Sequence, residues 1–504
     1  MNKPMEPPPP QETFSEAERR FDQWRKRIGL FAGPGLALLV FLLPLPLAPS
    51  AHRMAALMSG AVVYWVTEAI PIAVTALLAP TLAILLGLGK ADVVLAAFGD
   101  KIIFVFIGSF LIARAMEIHR LDRRFAGWVL SWPGVGKTPL RIFATLGAIT
   151  AFLSMWISNT AATAMMFPIA LGVLSSLPKE RSGSYATGVM LMIAFSASVG
   201  GIGTPIGTPP NLIGIGLIAK QTGRTISFFE WMALAVPLML AMFGALYALL
   251  STLHPMHVAP ERISGGMALR TLDPPGAWTA GEKNTLGAFL MAVFLWILPG
   301  CLGIFYGGKS ELVTLFNSRL PEGGVAILAA SLLFILPTDR SGSRFTLSWE
   351  EAVQIDWATI LLFGGGLALG NLMFETGLSK AIGAGFTSTL HIQSLWGITG
   401  IAILLGILVS ELTSNTASAN MIVPVVMAIA MAAQVSPLPP ALGATLGASY
   451  GFMLPISTPP NAIVYGSGLI PIRRMIRAGA IFDLIGFGII FGGLRLLCPL
   501  LGLI

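Results

Sequence analysis

The stretch WISNTAATAMM, residues 156–166, sets Ser158, Asn159, Thr160 and Thr163 in the middle of an apolar run. LTSNTASANM, residues 412–421, does the same in a second run far along the chain. Polar side chains at bilayer depth are unfavourable unless they meet partners, so a repeated SNT tripeptide raises the question of what it meets. The composition supplies the setting: 55% of the 504 residues are hydrophobic and 11% charged, against ~25% charged in a typical soluble domain. Runs at 28–48, 54–88, 185–219, 228–253, 284–305, 357–376, 440–470 and 478–504 approach or exceed the ~20 apolar residues that cross a bilayer as a helix. Two of these are long enough for more than one pass. The short alternating segments of membrane barrels are absent, so the chain reads as an all-α polytopic membrane protein.

Basic residues set the expected topology, because Lys and Arg concentrate in cytoplasmic loops. Arg19, Arg20, Arg25, Lys26 and Arg27 place the N-terminal end in the cytoplasm. Four further clusters follow: Arg114 to Arg141, Arg262 to Lys283, Arg340 with Arg344, and Arg473 to Arg477. The intervening loops are poorer in Lys and Arg. The first SNT run, about 142–178, has Lys137 and Arg141 before it and Lys179 and Arg181 after it, so both ends look cytoplasmic. The second, about 394–434, follows His391 and precedes QVSPLPP with no Lys or Arg at either edge, so both ends look external. Each is too short for two comfortable spans plus a loop. The economical reading is a pair of re-entrant hairpins entering from opposite faces, with SNT at each tip. Non-helical backbone at that depth is tolerated only inside protein or beside water, so the tips line a cavity.

A second motif follows each hairpin. GTPIGTPPNLIGIG (203–216) and PISTPPNAIVYGSG (455–468) both carry TPPN inside long apolar segments. Two successive prolines remove two backbone donors and break the helix. The order hairpin then broken helix thus occurs twice, in halves of opposite predicted orientation, which is the pattern of an inverted-repeat secondary transporter. The expected organisation is a cytoplasmic tail with an amphipathic helix (1–27, Ser15 and Glu18 forming a capping box) and a first half (28–253) with hairpin 137–181 and broken helix 185–219. A cytoplasmic linker (254–283) leads to an inverted second half (284–504) with hairpin 391–436 and broken helix 440–470. This gives about 11 transmembrane helices plus the two hairpins.

The chemistry of the motifs points to an anion accompanied by cations. Asn supplies two donors and an acceptor, and Ser and Thr supply hydroxyls. A helix starting at an SNT tip directs free N–H groups and the positive end of its dipole into the cavity, which suits an anionic group. Carbonyls freed beside Pro209 and Pro459, with Ser, Thr and Asn oxygens, suit a hard monovalent cation. No Lys or Arg lies within either motif, so a bound anion needs co-bound cations for charge balance. A single SNT is more readily read as a packing hydrogen bond between membrane helices. Two copies, each followed by TPPN in opposed orientation, favour a binding site. Glu68, before Pro71, fits a helix end, and Glu411 fits a brace within a hairpin arm. An intramembrane enzyme using Ser158 or Ser414 as nucleophile needs a buried base. All five histidines fall in or beside predicted loops. Cys301 and Cys498 are isolated, so no disulfide framework or metal site follows. The net charge of +7 is a topology signal and gives no reason to expect nucleic acid.

At these residues the chain resembles the divalent anion/sodium symporter family, the sodium-coupled di- and tricarboxylate transporters. The matching pieces are WVTEAIPIAVTALL (65–78), FLSMWISNTAATAMMFPI (152–169), GTPPNLIG (207–214), LLFGGGLALG (361–370), SELTSNTASANMIVP (410–424) and LPISTPPNAIVYGSG (454–468). The resemblance implies a homodimer in the inner (plasma) membrane whose transport domains move as elevators, carrying C4-dicarboxylates such as succinate, malate or fumarate with sodium and requiring no cofactor. It implies that substrate carboxylates meet Asn159, Thr160, Ser414, Asn415 and Thr416, with Thr208, Pro209, Thr458 and Pro459 closing the site. One sodium is expected near Ser154, Ser158, Asn159 and Gly207, and another near Ser410, Thr413, Asn415 and Ser457. SNT in both halves is similar to the carboxylate-transporting branch. Some relatives exchange dicarboxylates without sodium on similar motifs.

Overall fold

The structure is a computed structural model that describes residues 16–132, 138–175, 183–255, 276–307, 310–339, 341–390 and 392–504, giving only the backbone of 16–19, 389 and 390. The expected capping box at Ser15, most of the expected linker, and Lys137, Lys179, Arg181, Arg262, Arg270, Lys309, Arg340 and His391 lie outside these residues. Among the described residues there are helices and no strand, and eight helices are long and apolar enough to cross a membrane.

Each SNT motif lies where two consecutive helices meet. In the first, helices Pro139–Ser154 and Asn159–Ser175 meet at a four-residue turn ending in Ser158. In the second, Leu395–Leu412 and Asn415–Ala432 meet at Thr413 and Ser414. An 18-residue arm is ~27 Å long at 1.5 Å per residue, just short of the ~30 Å hydrocarbon core. The second hairpin's arms therefore reach almost across, and both qualify as spans by length and composition, so they are longer than the expected re-entrant pair.

The broken helices also form. Gly183–Gly201 stops, a loop runs over 202–208, and Pro209–Thr222 resumes the helix. Leu438–Gly447 stops, and Pro459–Tyr465 resumes after a loop over 448–458. In each case the first Pro of TPPN is the first helical residue, where the missing N–H would have had no helical partner anyway.

The packing repeats when the two halves are exchanged. The leading arm of each hairpin packs on the leading piece of its own broken helix. The trailing arm packs on the resumed piece from the other half: Asn159–Ser175 against Pro459–Tyr465, and Asn415–Ala432 against Pro209–Thr222. This crossed arrangement is what a pseudo-twofold axis in the membrane plane produces.

Two boundaries differ from expectation for identifiable reasons. The amphipathic segment does not end at residue 27 but continues as one helix, Glu16–Leu42, without a break. The second half opens at Ala280, because Thr279 and Glu282 form a reciprocal capping box that starts the helix Ala280–Tyr306 there. Glu68 sits at a helix end as expected, the left-handed C-cap of Pro49–Thr67 with φ 48°, and Arg25 lies 3.6 Å from its carboxylate.

Candidate functional site

The two SNT tips and the two TPPN starts converge on one cavity of about 440 Å³, within the usual range for small-molecule sites. Asn159, Thr160, Thr208, Pro209, Ser414, Asn415, Thr416, Thr458 and Pro459 all line it. Ser158, Gly207 and Ser457 also reach its wall, whereas Ser154, Ser410 and Thr413 are buried behind it.

Each tip is built from the same local logic. Ser158 Oγ accepts from Ala161 N at 3.2 Å, and Ser414 Oγ accepts from Ala417 N at 3.2 Å, so both serines are N-caps. Capping uses acceptor capacity and leaves the O–H free to donate to an anion. The following Asn is oriented by a buried serine one turn earlier. Ser154 Oγ donates to Asn159 Oδ1 at 2.7 Å, and Ser410 Oγ lies 2.8 Å from both Asn415 Oδ1 and the Ala448 carbonyl, which share its single proton. With Oδ1 on the buried serine side, each amide leaves Nδ2 for the cavity that its residue lines.

The buried side is rich in oxygen. A Cβ on Gly207 would lie 2.5 Å from the Gly201 carbonyl, 2.9 Å from that of Ser154 and 3.0 Å from that of Met155. A Cβ on Gly201 would lie 2.4 Å from Asn159 Oδ1. Three carbonyls thus crowd the place a side chain at Gly207 would take, and an amide oxygen crowds that at Gly201, oxygens of the kind a hard cation takes. The second half is built alike around Gly451, whose Cβ would lie 3.1 Å from the Ser410 carbonyl and 3.3 Å from Ser410 Oγ. Thr413 directs its hydroxyl away, to the carbonyl of Trp65 at 3.0 Å, so only its backbone is available there.

The asparagines of TPPN were not singled out from the sequence. Asn211 Nδ2 donates to the carbonyls of Gly201 (3.0 Å) and Thr204 (2.8 Å), and Asn461 Nδ2 donates to those of Gly451 and Leu454 (both 3.0 Å). They tie each loop into a fixed shape and take up carbonyls that the helix break frees. Their appearance at the same place in both motifs was the available signal. Ser109, Arg114, Glu117, Gln354, Asp356 and Thr359 complete the cavity's mouth and carry no motif. Arg114 is the only basic side chain on the wall, and it is held by Glu117 at 3.3 Å and by Gln354.

Paired hairpins and broken helices enclosing a two-fold site of neutral donors define a polytopic secondary transporter. Comparison with known proteins identifies the family: residues 24–503 match the sodium:sulfate symporter transmembrane region, and the chain belongs to that family. It is a transporter and not an enzyme. Sequence relatives include an uncharacterised transporter of Haemophilus influenzae, 34% identical over 88% of this chain and 92% of its own. The sodium-dependent dicarboxylate transporter SdcS of Staphylococcus aureus is 34% identical over 91% of this chain and 88% of its own. Among solved structures, the YdaH transporter of Alcanivorax borkumensis shares the fold with a TM-score of 0.51, 12% identity, and 95% and 96% coverage.

Proposed function

We propose that this chain carries C4-dicarboxylates such as succinate, malate or fumarate across the inner membrane, coupled to sodium, with its N-terminus in the cytoplasm. The observation that carries this reading is the two-ended role of Asn159 and Asn415. Each amide meets a buried serine through Oδ1 and leaves Nδ2 for the cavity, and Asn159 Oδ1 also borders the space at Gly201. A sodium at Ser154, Ser158, Asn159 and Gly207, and another at Ser410, Thr413, Asn415 and Ser457, hold the amides in the orientation that donates to carboxylates. The substrate's two carboxylates then meet Asn159 and Thr160 on one tip and Ser414, Asn415 and Thr416 on the other, with the helix N-termini adding positive potential. Arg114 is already paired, so the dianion's charge is offset by the bound cations.

The Staphylococcus aureus relative is a sodium-dependent dicarboxylate transporter by name, which supports both sodium and dicarboxylate. In the proposed cycle a homodimer carries the site across by moving the hairpins and broken helices as one body, as an elevator. The test is uptake of labelled succinate by reconstituted protein. An inward sodium gradient should drive accumulation above equilibrium, with malate and fumarate competing. Uptake indifferent to sodium but dependent on internal dicarboxylate would overturn coupling and establish an exchanger.

A further inference from the structure

The two halves of the site differ at several positions, and two of these pairs bear on its charge and polarity. Aligning the SNT tips places Met155 opposite Glu411, and aligning the TPPN starts places Gly207 opposite Ser457. The hairpin therefore does not need an acid at this point, yet the second half carries one. Glu411 is 3% exposed; its Oε1 accepts from Met453 N at 2.8 Å and its Oε2 from Ser457 Oγ at 2.7 Å. The carboxyl of Asp483, on the helix Ile472–Leu500 that packs against Glu411's own helix, lies near enough to act on it.

Asp483 is 6% exposed, and neither of its oxygens meets a donor. Among the described residues neither acid forms an ion pair. The basic residues nearest along that helix, Arg474 and Arg477, lie toward its start, where their charges act on His254. Two carboxyls share a membrane interior with no counter-charge, an arrangement that is strongly unfavourable with both ionised unless a cation lies between them, the alternative being a retained proton.

The surrounding backbone is shaped around this spot. Gly479, Asp483 and Gly486 recur at i, i+4 and i+7, on one helix face. A Cβ on Gly479 would lie 2.4 Å from the Phe452 carbonyl oxygen, and one on Gly486 would lie 1.9 Å from the Tyr450 ring. The two glycines let the loop over 448–458 close onto the helix beside Asp483. The Tyr450 hydroxyl, on a residue 1% exposed, is near enough for Asp483 to act on it and has no hydrogen-bond partner of its own. Carboxylate and phenol oxygens are hard ligands of the kind alkali and alkaline-earth cations take.

We propose that Glu411 and Asp483, with the Tyr450 hydroxyl, form a further monovalent metal-cation site, distinct from the two at the SNT tips and present in the second half alone. A cation here is linked through Glu411 and Ser457 to the wall of the substrate cavity. The inference rests on the sodium-coupled reading, and its test separates the two. Purified full-length protein and Asp483→Asn are compared by equilibrium binding of radioactive sodium with saturating succinate, at one pH, together with infrared difference spectra on adding sodium. Asn keeps the shape of Asp and donates to Glu411, so D483N should elute as wild type does. The wild type should bind one more sodium than D483N, and sodium should perturb carboxylate bands in the wild type that D483N lacks. Tyr450→Phe, which removes only the hydroxyl, should weaken the additional sodium several-fold without removing it. Equal sodium stoichiometry in wild type and D483N overturns the site while leaving sodium coupling intact. A protonated-carboxyl band that persists in saturating sodium overturns it in favour of a shared proton. Failure of the wild type to bind any sodium overturns the coupled reading and this site together.

Discussion

A carboxamide has two different ends, and at Asn159 and Asn415 the molecule uses both. Oδ1 meets a buried serine hydroxyl, which leaves Nδ2 for the substrate side. Asn159→Ala and Asn415→Ala should therefore each abolish succinate uptake while the protein remains folded by gel filtration. Loss of a hydrogen bond to a charged group is worth ~1.5–3 kcal/mol, or tenfold to more than a hundredfold in affinity, before the lost cation ligand is counted. Unchanged uptake in either variant would remove that tip from the site. At this scale the sequence was legible where polarity interrupted greasy segments: the SNT and TPPN residues quoted there do line one cavity. The bracing by Asn211 and Asn461 was not legible, because a side-chain bond to a carbonyl seven or ten residues away leaves no periodic trace. Glu411 is the brace that the sequence suggested, through Met453 and Ser457, but its meeting with Asp483 depends on tertiary packing between segments some seventy residues apart.

Among the elements, the short helix Leu121–Leu130 shows how the halves are fastened outside the site. Arg124 Nε lies 2.6 Å from Glu282 Oε1 and its Nη2 lies 3.1 Å from Oε2, a bidentate pair, while the guanidinium stacks 4.6 Å from the Trp278 ring centroid. Both partners are largely buried. Arg124→Ala would leave Glu282 without its counter-charge beside the helix start, and should lower stability by ~3 kcal/mol, read as a reduced melting temperature. The same helix carries Asp122, whose burial pushes its carboxyl up from the ordinary 3.8 to about 6. A raised carboxyl value means the folded state holds the proton more tightly. Stability from this group is thus full below the unfolded value and is lost as pH rises from about 4 to about 6, on the order of 3 kcal/mol. Asp122→Asn should accordingly melt higher than wild type at pH 7, with the difference disappearing near pH 4. Helix existence was legible from apolar runs, and Phe228–Leu253 has the limits its run suggested. The continuous Glu16–Leu42 was not, because a charged amphipathic segment and an apolar span read as two elements even when no residue stops the helix between them.

For the whole molecule, the proposed topology puts the two hairpins on opposite faces of the membrane. On a background lacking Cys301 and Cys498, cysteines at Thr138 and Ser175 should react with a membrane-impermeant thiol reagent from the cytoplasmic side only. Cysteines at Gln393 and Gln434 should react from the outside only. Reaction of both pairs from the same side would sink the inverted arrangement. Symmetry was legible because motif order repeats in the sequence, whereas the exchange of packing partners between halves was not, since no local feature encodes which broken helix a hairpin arm will touch.

That exchange has a bearing on how the protein is made. The arm Asn159–Ser175 rests on Pro459–Tyr465, nearly three hundred residues downstream, and Asn415–Ala432 rests on a helix inserted long before it. A nascent chain that has delivered only its first half holds a hairpin seated on Gly183–Gly201 alone, its trailing arm still lacking the resumed helix Pro459–Tyr465. The binding cavity closes only when the last broken helix arrives, so a truncated product has no partly working site and exposes a greasy, incompletely packed surface that membrane quality control can recognise.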